Sequence, residues 1–172
     1  MMAILIETPR LLLKEMSQAD VQNLFDLNRD LEVMRYTGDK SFNNINEALN
    51  YVENYQHIYQ KYGYGRLSLF NKETNEYLGW CGLKYLDQKN ETDLGYRLKK
   101  RFWEKGFATE AASACLKDGF SRLQLSQIFA TAMKENIPSI NIFKKLGLKY
   151  LKDQDCGCQP GVIYAITKQE WK

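Results

Sequence analysis

From Ala48 through Tyr51, Val52, Tyr55, Ile58, Tyr59 and Tyr62, apolar and aromatic residues recur every third or fourth position, which predicts an amphipathic helix. Asn44 with Glu47 has the spacing of a helix start, and Gly63 and Gly65 supply its stop. A looser helix pattern (Val21, Leu24, Phe25, Leu31) follows Ser17 and Asp20, which resemble a cap with an acidic first turn. Strand patterns occupy residues 9–16, Arg66–Phe70, Tyr77–Leu86 and Thr92–Leu98, separated by polar turns at 71–75 and 87–90. In the last of these, Leu94, Tyr96 and Leu98 fall on one face, and Asp93, Gly95 and Arg97 on the other. Ala108, Ala112, Leu116, Phe120 and Leu123 then line one side of a helix. A strand over Ser126–Met133 precedes a short helix that begins near Pro138 and stops at Gly147. Leu148–Lys152 and Val162–Thr167 read as a closing strand pair.

The predicted order is therefore β-α-α-β-β-β-α-β-α-β-β. Three consecutive strands predict an antiparallel meander, and the crossover from Thr92 to Met133 requires a parallel pair. The economical architecture is an α/β fold with one mixed sheet and helices on both faces, in a single domain spanning residues 1–172.

Composition narrows the function classes. A net charge of +3 over 172 residues, with no long basic stripe, argues against nucleic acid. No apolar run approaches a membrane span, and the opening Met1–Glu7 is too short and too quickly charged for a signal peptide, so a cytoplasmic protein is expected. Cys81 and Cys115 fall in strand and helix patterns, where a thiol acts as a small hydrophobe. Cys156 and Cys158 form a Cys-Gly-Cys pair in a late loop, and the lone histidine, His57, is far away in sequence, so no metal is expected.

The chemistry concentrates in two segments. Trp103-Glu104-Lys105-Gly106-Phe107-Ala108 joins a strand to a helix. A glycine there lets backbone approach a ligand closely, and the helix that follows directs unpaired N–H groups and its positive dipole end at an anion. The basic run Lys99-Lys100-Arg101, with Lys105, lies beside it. Downstream, Asn136, Ser139 and Asn141 are followed by Phe143 and Lys144-Lys145-Leu146-Gly147-Leu148. Taken singly, Asn136 is a helix cap and Asn141 a solvated helix residue; their joint spacing points to a ligand.

Together with the element order, these segments resemble the GNAT superfamily of N-acetyltransferases over almost the whole chain. Glu7-Thr8-Pro9-Arg10-Leu11-Leu12-Leu13, Leu94-Gly95-Tyr96 and Gly106-Phe107-Ala108-Thr109-Glu110 are similar to the branch containing the ribosomal-protein N-terminal (Rim-type) enzymes. The superfamily's turn usually begins with Gln or Arg; Trp103 stands there instead, as is common in this branch. The resemblance implies acetyl-coenzyme A as cosubstrate. Trp103 opens the turn, and the backbone of Lys105, Gly106, Phe107, Ala108 and Thr109 supplies the pyrophosphate site. Leu98 pairs with the pantetheine arm where the two parallel strands splay. Asn136, Asn141 and Phe143 lie near its thiol end, and the lysines near Arg101 meet the 3′-phosphate.

The transfer needs a base for the amine, donors for the developing oxyanion, and a proton or hydrogen bond for the departing thiolate. Asp93 stands where this branch often carries a glutamate and is the expected base, through a bridging water because its side chain is one methylene shorter. Ser139 and Tyr96 are the candidate acids, and the main-chain N–H near Leu98 the oxyanion donor. The two early helices and their loop are expected to wall the acceptor site, with Arg35, Tyr36 and Tyr55 as contacts. The acceptor is a protein N-terminal α-amine or a small-molecule amine, and the enzyme a monomer or homodimer. A non-catalytic coenzyme A sensor would keep the glycine turn and Asn141 but needs neither Asp93 nor Ser139. Dinucleotide and P-loop fingerprints are absent from the sequence.

Overall fold

The computed structural model describes residues 5–171; Met1–Ile4, within the opening segment considered above, lie outside the described residues. Eight strands form one sheet: β1 (Leu5–Glu7), β2 (Leu11–Glu15), β3 (Arg66–Asn71), β4 (Tyr77–Leu86), β5 (Glu91–Leu98), β6 (Gln127–Met133), β7 (Lys149–Asp153) and β8 (Gly161–Thr167). The helices are α1 (Val21–Arg29), α2 (Leu31–Met34), α3 (Ile45–Tyr62), α4 (Phe107–Ser121) and α5 (Ile137–Lys145). The sheet order is β1-β2-β3-β4-β5-β6-β8-β7. Every neighbouring pair is antiparallel except β5 and β6, which are parallel. This is the mixed α/β sheet that the element order predicts.

Two elements differ from expectation. The expected first strand, 9–16, is observed as Leu11–Glu15, preceded by the short strand β1. Pro9 has no N–H to give to a ladder, so Thr8–Arg10 becomes a hairpin turn; Thr8 N–H reaches the Leu11 carbonyl at 3.0 Å and Leu11 N–H reaches Thr8 Oγ1 at 2.9 Å. The helix pattern that reaches Leu31 is interrupted after Arg29, and Leu31–Met34 forms the separate single-turn helix α2 because Asp30 caps it, accepting from Glu32 N–H at 3.0 Å.

The core lies on both faces of the central strands. Leu11, Leu13, Leu69, Leu78 and Leu94 are buried, as are Ala111, Ala112 and Leu116 of α4. The small residues of α4 let it sit close to β4, where Cys81 and Cys115 place their sulfurs 3.7 Å apart. Tyr96 pairs across the ladder with Cys81 and so shares the α4 face. Trp80 and Arg97, a directly opposed pair, project to the other face, where Arg97 reaches Asn28 of α1. Tyr59 of α3 ties that face together: its hydroxyl accepts from Met16 N–H at 3.0 Å and donates to the Arg66 carbonyl.

Candidate active site

Unlike β4 and β5, which pair over eight positions, the parallel strands β5 and β6 pair at one, Asp93 with Phe129. Beyond it the sheet opens. At the far end, Lys99 N–H turns back to the Leu78 carbonyl at 2.8 Å, so the alternation of strand backbone aims the N–H and C=O of Leu98 at the opening. The Leu98 carbonyl accepts the Trp103 indole N–H at 2.9 Å, and this bond holds Trp103 at the mouth with its ring part-exposed. Gly79 on β4 (φ +149°) has backbone pressed against Arg97 and Leu98, where a side-chain carbon would collide with β5.

The turn that follows contains two left-handed residues, Glu104 (φ 59°) and Gly106 (φ 78°). Gly106 is the N-cap of α4 and has no side chain with which to close it. Glu110 N–H makes the first bond of the helix, to the Gly106 carbonyl at 3.0 Å. The N–H groups of Phe107, Ala108 and Thr109 precede it and have no intrahelical acceptor. Oriented N–H groups, the positive dipole end and an absent cap make this helix end, beside the opened strands, suited to an anion. These residues fit the pyrophosphate and pantetheine of coenzyme A.

The lysines near Arg101 point elsewhere. Lys99 donates to Asn23 Oδ1 at 3.0 Å, Lys100 lies 3.4 Å from Glu32, and Arg101 pairs with Glu76. Their charges are engaged on the α1–α2 side and at the β3–β4 turn, which does not match the expected 3′-phosphate role.

Asp93 lies at the last paired position of the opening. Its carboxylate is the counter-ion of Arg66, a buried residue whose guanidinium also donates to the Asp93 carbonyl at 2.8 Å and to the Gly82 carbonyl. This explains Gly95: a side-chain carbon there would stand 2.6 Å from Arg66 Nη2. Arg66 was not anticipated; its signal is a charged residue at the head of a mostly apolar strand. Arg97 repeats the pattern, bonding Asn28 of α1 and, at 2.6 Å, Asp39 of the loop before α3, and so ties that loop to the sheet.

Tyr96 and Ser139 come together from β5 and α5. Burial pushes the Tyr96 phenol far up, and Ser139 beside it pulls it part of the way back. The phenol stays protonated, and its buried oxygen makes no hydrogen bond within 3.5 Å among the described residues, so Ser139 is a neighbour at longer range. Asn136 caps α5, its Oδ1 accepting from Ser139 N–H at 3.3 Å. Asn141 is exposed on the same helix, and Phe143 is buried against Tyr164, ring centroids 5.7 Å apart.

On the opposite face, Arg35 is exposed with its guanidinium 5.1 Å from the Tyr36 ring, and Tyr36 is half-buried. Tyr55 is placed in the core rather than on an open wall, 2% exposed and flanked by the rings of Tyr51 and Tyr59, because α3 turns that side onto the sheet. The β7–β8 loop also comes here: the Cys156 carbonyl lies 3.7 Å from where a Gly38 side chain would begin. Burial raises the Cys156 thiol, so it is not an activated thiolate. Among the described residues no three His, Cys, Asp or Glu side chains gather as metal ligands, and no helix is long and apolar enough to cross a membrane.

A mixed sheet parted beside an uncapped helix N-terminus has the features expected of a coenzyme A-dependent acyltransferase. Residues 10–149 match the acetyltransferase (GNAT) domain family, and the chain belongs to that family. It is 33% identical over 143 residues to the uncharacterized N-acetyltransferase p20 of Bacillus licheniformis, covering 83% of this chain and 80% of that one. It is 34% identical over 164 residues to the uncharacterized protein YkkB of Bacillus subtilis, covering 91% and 92%. The GNAT-family acetyltransferase of Bacillus anthracis superimposes with a TM-score of 0.82 at 25% identity, over 97% of this chain and all of that one. The spermidine N-acetyltransferase of Vibrio cholerae, solved with CoA and spermine, superimposes with a TM-score of 0.80 at 16% identity, covering 95% and 98%. The protein is an acetyltransferase.

Proposed function

We propose that this chain transfers the acetyl group of acetyl-coenzyme A to a primary amine, and that the preferred acceptor is an α-amine such as a protein N-terminus. One observation carries this reading: the β5–β6 ladder ends after Asp93 and Phe129, so the rest of β5, which leads into the uncapped helix start at Gly106, is left unpaired on that side. When bound, acetyl-coenzyme A supplies the activated acyl group. Phe107, Ala108 and Thr109 N–H groups hold its pyrophosphate, with Lys105 and Gly106 before them, while Leu98 lines the pantetheine arm and its N–H donates to the acyl oxygen as charge builds there. Asn136, Asn141 and Phe143 bound the thiol end. Tyr96, protonated and lacking a partner, and Ser139 beside it supply the proton for the departing thiolate.

Asp93 takes the amine proton through a bridging water. Its Oδ2 is engaged by Arg66, so the proton goes to Oδ1. One oxygen working through water has least to do for an amine of low pKa, about 8 for an α-amine against about 10.4 for a lysine side chain. The resemblance of Glu7–Leu13 and Leu94–Tyr96 to the N-terminal acetyltransferase branch supports the same acceptor. Arg35 and Tyr36 contribute to its wall.

The test is a calorimetric titration with acetyl-coenzyme A, using ATP and NAD as controls, followed by thiol-release assays on peptides with free and blocked N-termini. Selective micromolar binding and turnover only with the free α-amine are expected. A folded sample that ignores the coenzyme would overturn the reading. Asp93→Asn tests the base: kcat should fall at least about tenfold with a changed pH profile while the coenzyme Kd stays within about twofold. The melting temperature should also fall, because weakening the partner of a buried arginine costs on the order of 3 kcal/mol. A normal rate and profile would eliminate Asp93.

A further inference from the structure

Thr8 and Glu110 are 102 residues apart in sequence and in direct contact. Both belong to segments that carry the family resemblance, yet neither they nor Arg10 has a role in the site above. Glu110, in the first turn of α4, accepts on Oε1 from Thr8 Oγ1 at 2.6 Å and from Arg10 N–H at 3.0 Å, and on Oε2 from Arg10 Nε at 2.6 Å. The same guanidinium donates through Nη1 to the Lys105 carbonyl at 3.0 Å and lies 4.5 Å above the Phe107 ring. Its Nη2 is 3.3 Å from the place a Gly106 side-chain carbon would occupy. Arg10 thus touches three consecutive residues of the turn, and Glu110 fixes Arg10 from the helix behind it.

We propose that Arg10 and Glu110 are positioning residues for the coenzyme, a brace that holds the Lys105–Phe107 turn with its N–H groups aimed at the pyrophosphate. The proposal rests on the acetyltransferase reading. Two physical effects make the brace matter. The turn contains left-handed backbone at Glu104 and Gly106, which local preferences alone do not hold in place. In addition, a carboxylate one turn into a helix would repel a bound phosphate, and the Arg10 charge cancels it. Removing Arg10 therefore loses both geometry and charge compensation, whereas removing the Glu110 charge loses geometry alone. Thr8 presets the carboxylate while its own oxygen is fixed by Leu11 N–H at 2.9 Å.

The experiment compares Arg10→Gln, Arg10→Lys and Glu110→Gln with the wild type by coenzyme A titration, steady-state kinetics and 15N relaxation of the 104–109 amides. Arg10→Gln should raise the coenzyme Kd about tenfold and Glu110→Gln about threefold, with kcat at saturation within about twofold, as expected when only placement is lost. The amide order parameters should fall in both. Arg10→Lys should not rescue binding, because an ammonium cannot bridge Glu110 and the Lys105 carbonyl as a planar fork does. An unchanged Kd with a lowered melting temperature would make the contact purely structural and overturn the proposal. Rescue by lysine would overturn it too, by making Arg10 a direct phosphate contact. A wild type that binds no coenzyme sinks the acetyltransferase reading instead, and the order parameters then decide the brace without any ligand.

Discussion

Helices α3 and α4 begin in opposite ways. At α3, Asn44 accepts from the N–H groups of Asn46 and Glu47 at 3.0 and 3.3 Å, and Glu47 reaches back to Asn43 N–H at 2.9 Å. Two orphan donors of that helix are satisfied by its own sequence. At α4 the cap is Gly106, without a side chain, and the one acidic group of the first turn, Glu110, is turned away to Thr8 and Arg10. A helix end that could have been closed for roughly 1 kcal/mol is instead left open, next to a strand pair that has come apart. The start of α5 lies between these cases, capped by Asn136 yet adjacent to Tyr96 and Ser139. Closing a helix start serves stability; an open one serves a ligand.

The largest effect should come from closing the open end. Gly106→Val should reduce coenzyme affinity about thirtyfold, because left-handed backbone costs a branched residue about 1–2 kcal/mol and the new side chain meets Arg10. Circular dichroism should still report a folded chain, and unchanged affinity by titration would remove the turn from the site.

The two caps can then be set against each other. Asn44→Ala should lower unfolding stability by about 1 kcal/mol and leave coenzyme affinity alone. Asn136→Ser retains a capping hydroxyl, so stability should hold while the coenzyme KM rises about fivefold from the lost amide. If Asn136→Ser leaves KM untouched, Asn136 is a cap and nothing more.

A smaller effect separates the ends by pH. Desolvation pushes the Glu110 carboxyl up, but hydrogen bonds from Thr8 and Arg10 and the Arg10 charge outweigh it, holding it below its ordinary value of 4.5. A depressed carboxyl contributes fully above its unfolded value and is lost as pH falls through the folded one. Coenzyme affinity should therefore weaken below about pH 4.5 in the wild type, and more shallowly in Glu110→Gln. The neutral Asn44 cap has no such dependence. Parallel titrations of the two proteins that fall together would show that Glu110 does not set the acid limit.

Local chemistry made much of this protein legible. The periodicity from Ala48 to Tyr62, the asparagine cap before it and the glycine after it act over a few residues, so the order of letters alone determines α3. The alternation of Leu94, Tyr96 and Leu98 against Asp93, Gly95 and Arg97 likewise sets which residues of β5 meet α4 and which meet α1. The glycine turn at 106 is recognisable because left-handed backbone has few tenants, and the crossover from β5 to β6 requires a parallel pair. Pairings between distant residues were not legible, since no local rule encodes them. Nothing near Asp93 announces that Arg66 holds it, nor near Glu110 that Thr8 and Arg10 do. Tyr55 has the spacing of a wall residue and becomes core only once α3 lies on the sheet, and β8 takes its place between β6 and β7 only through pairing remote in sequence. The sequence by itself determined which segments become helix, strand and glycine turn, because those are contests among neighbours. The tertiary structure decided which charges are engaged and which donors stay open, because ion pairs and hydrogen bonds join whatever the fold brings within about 3 Å.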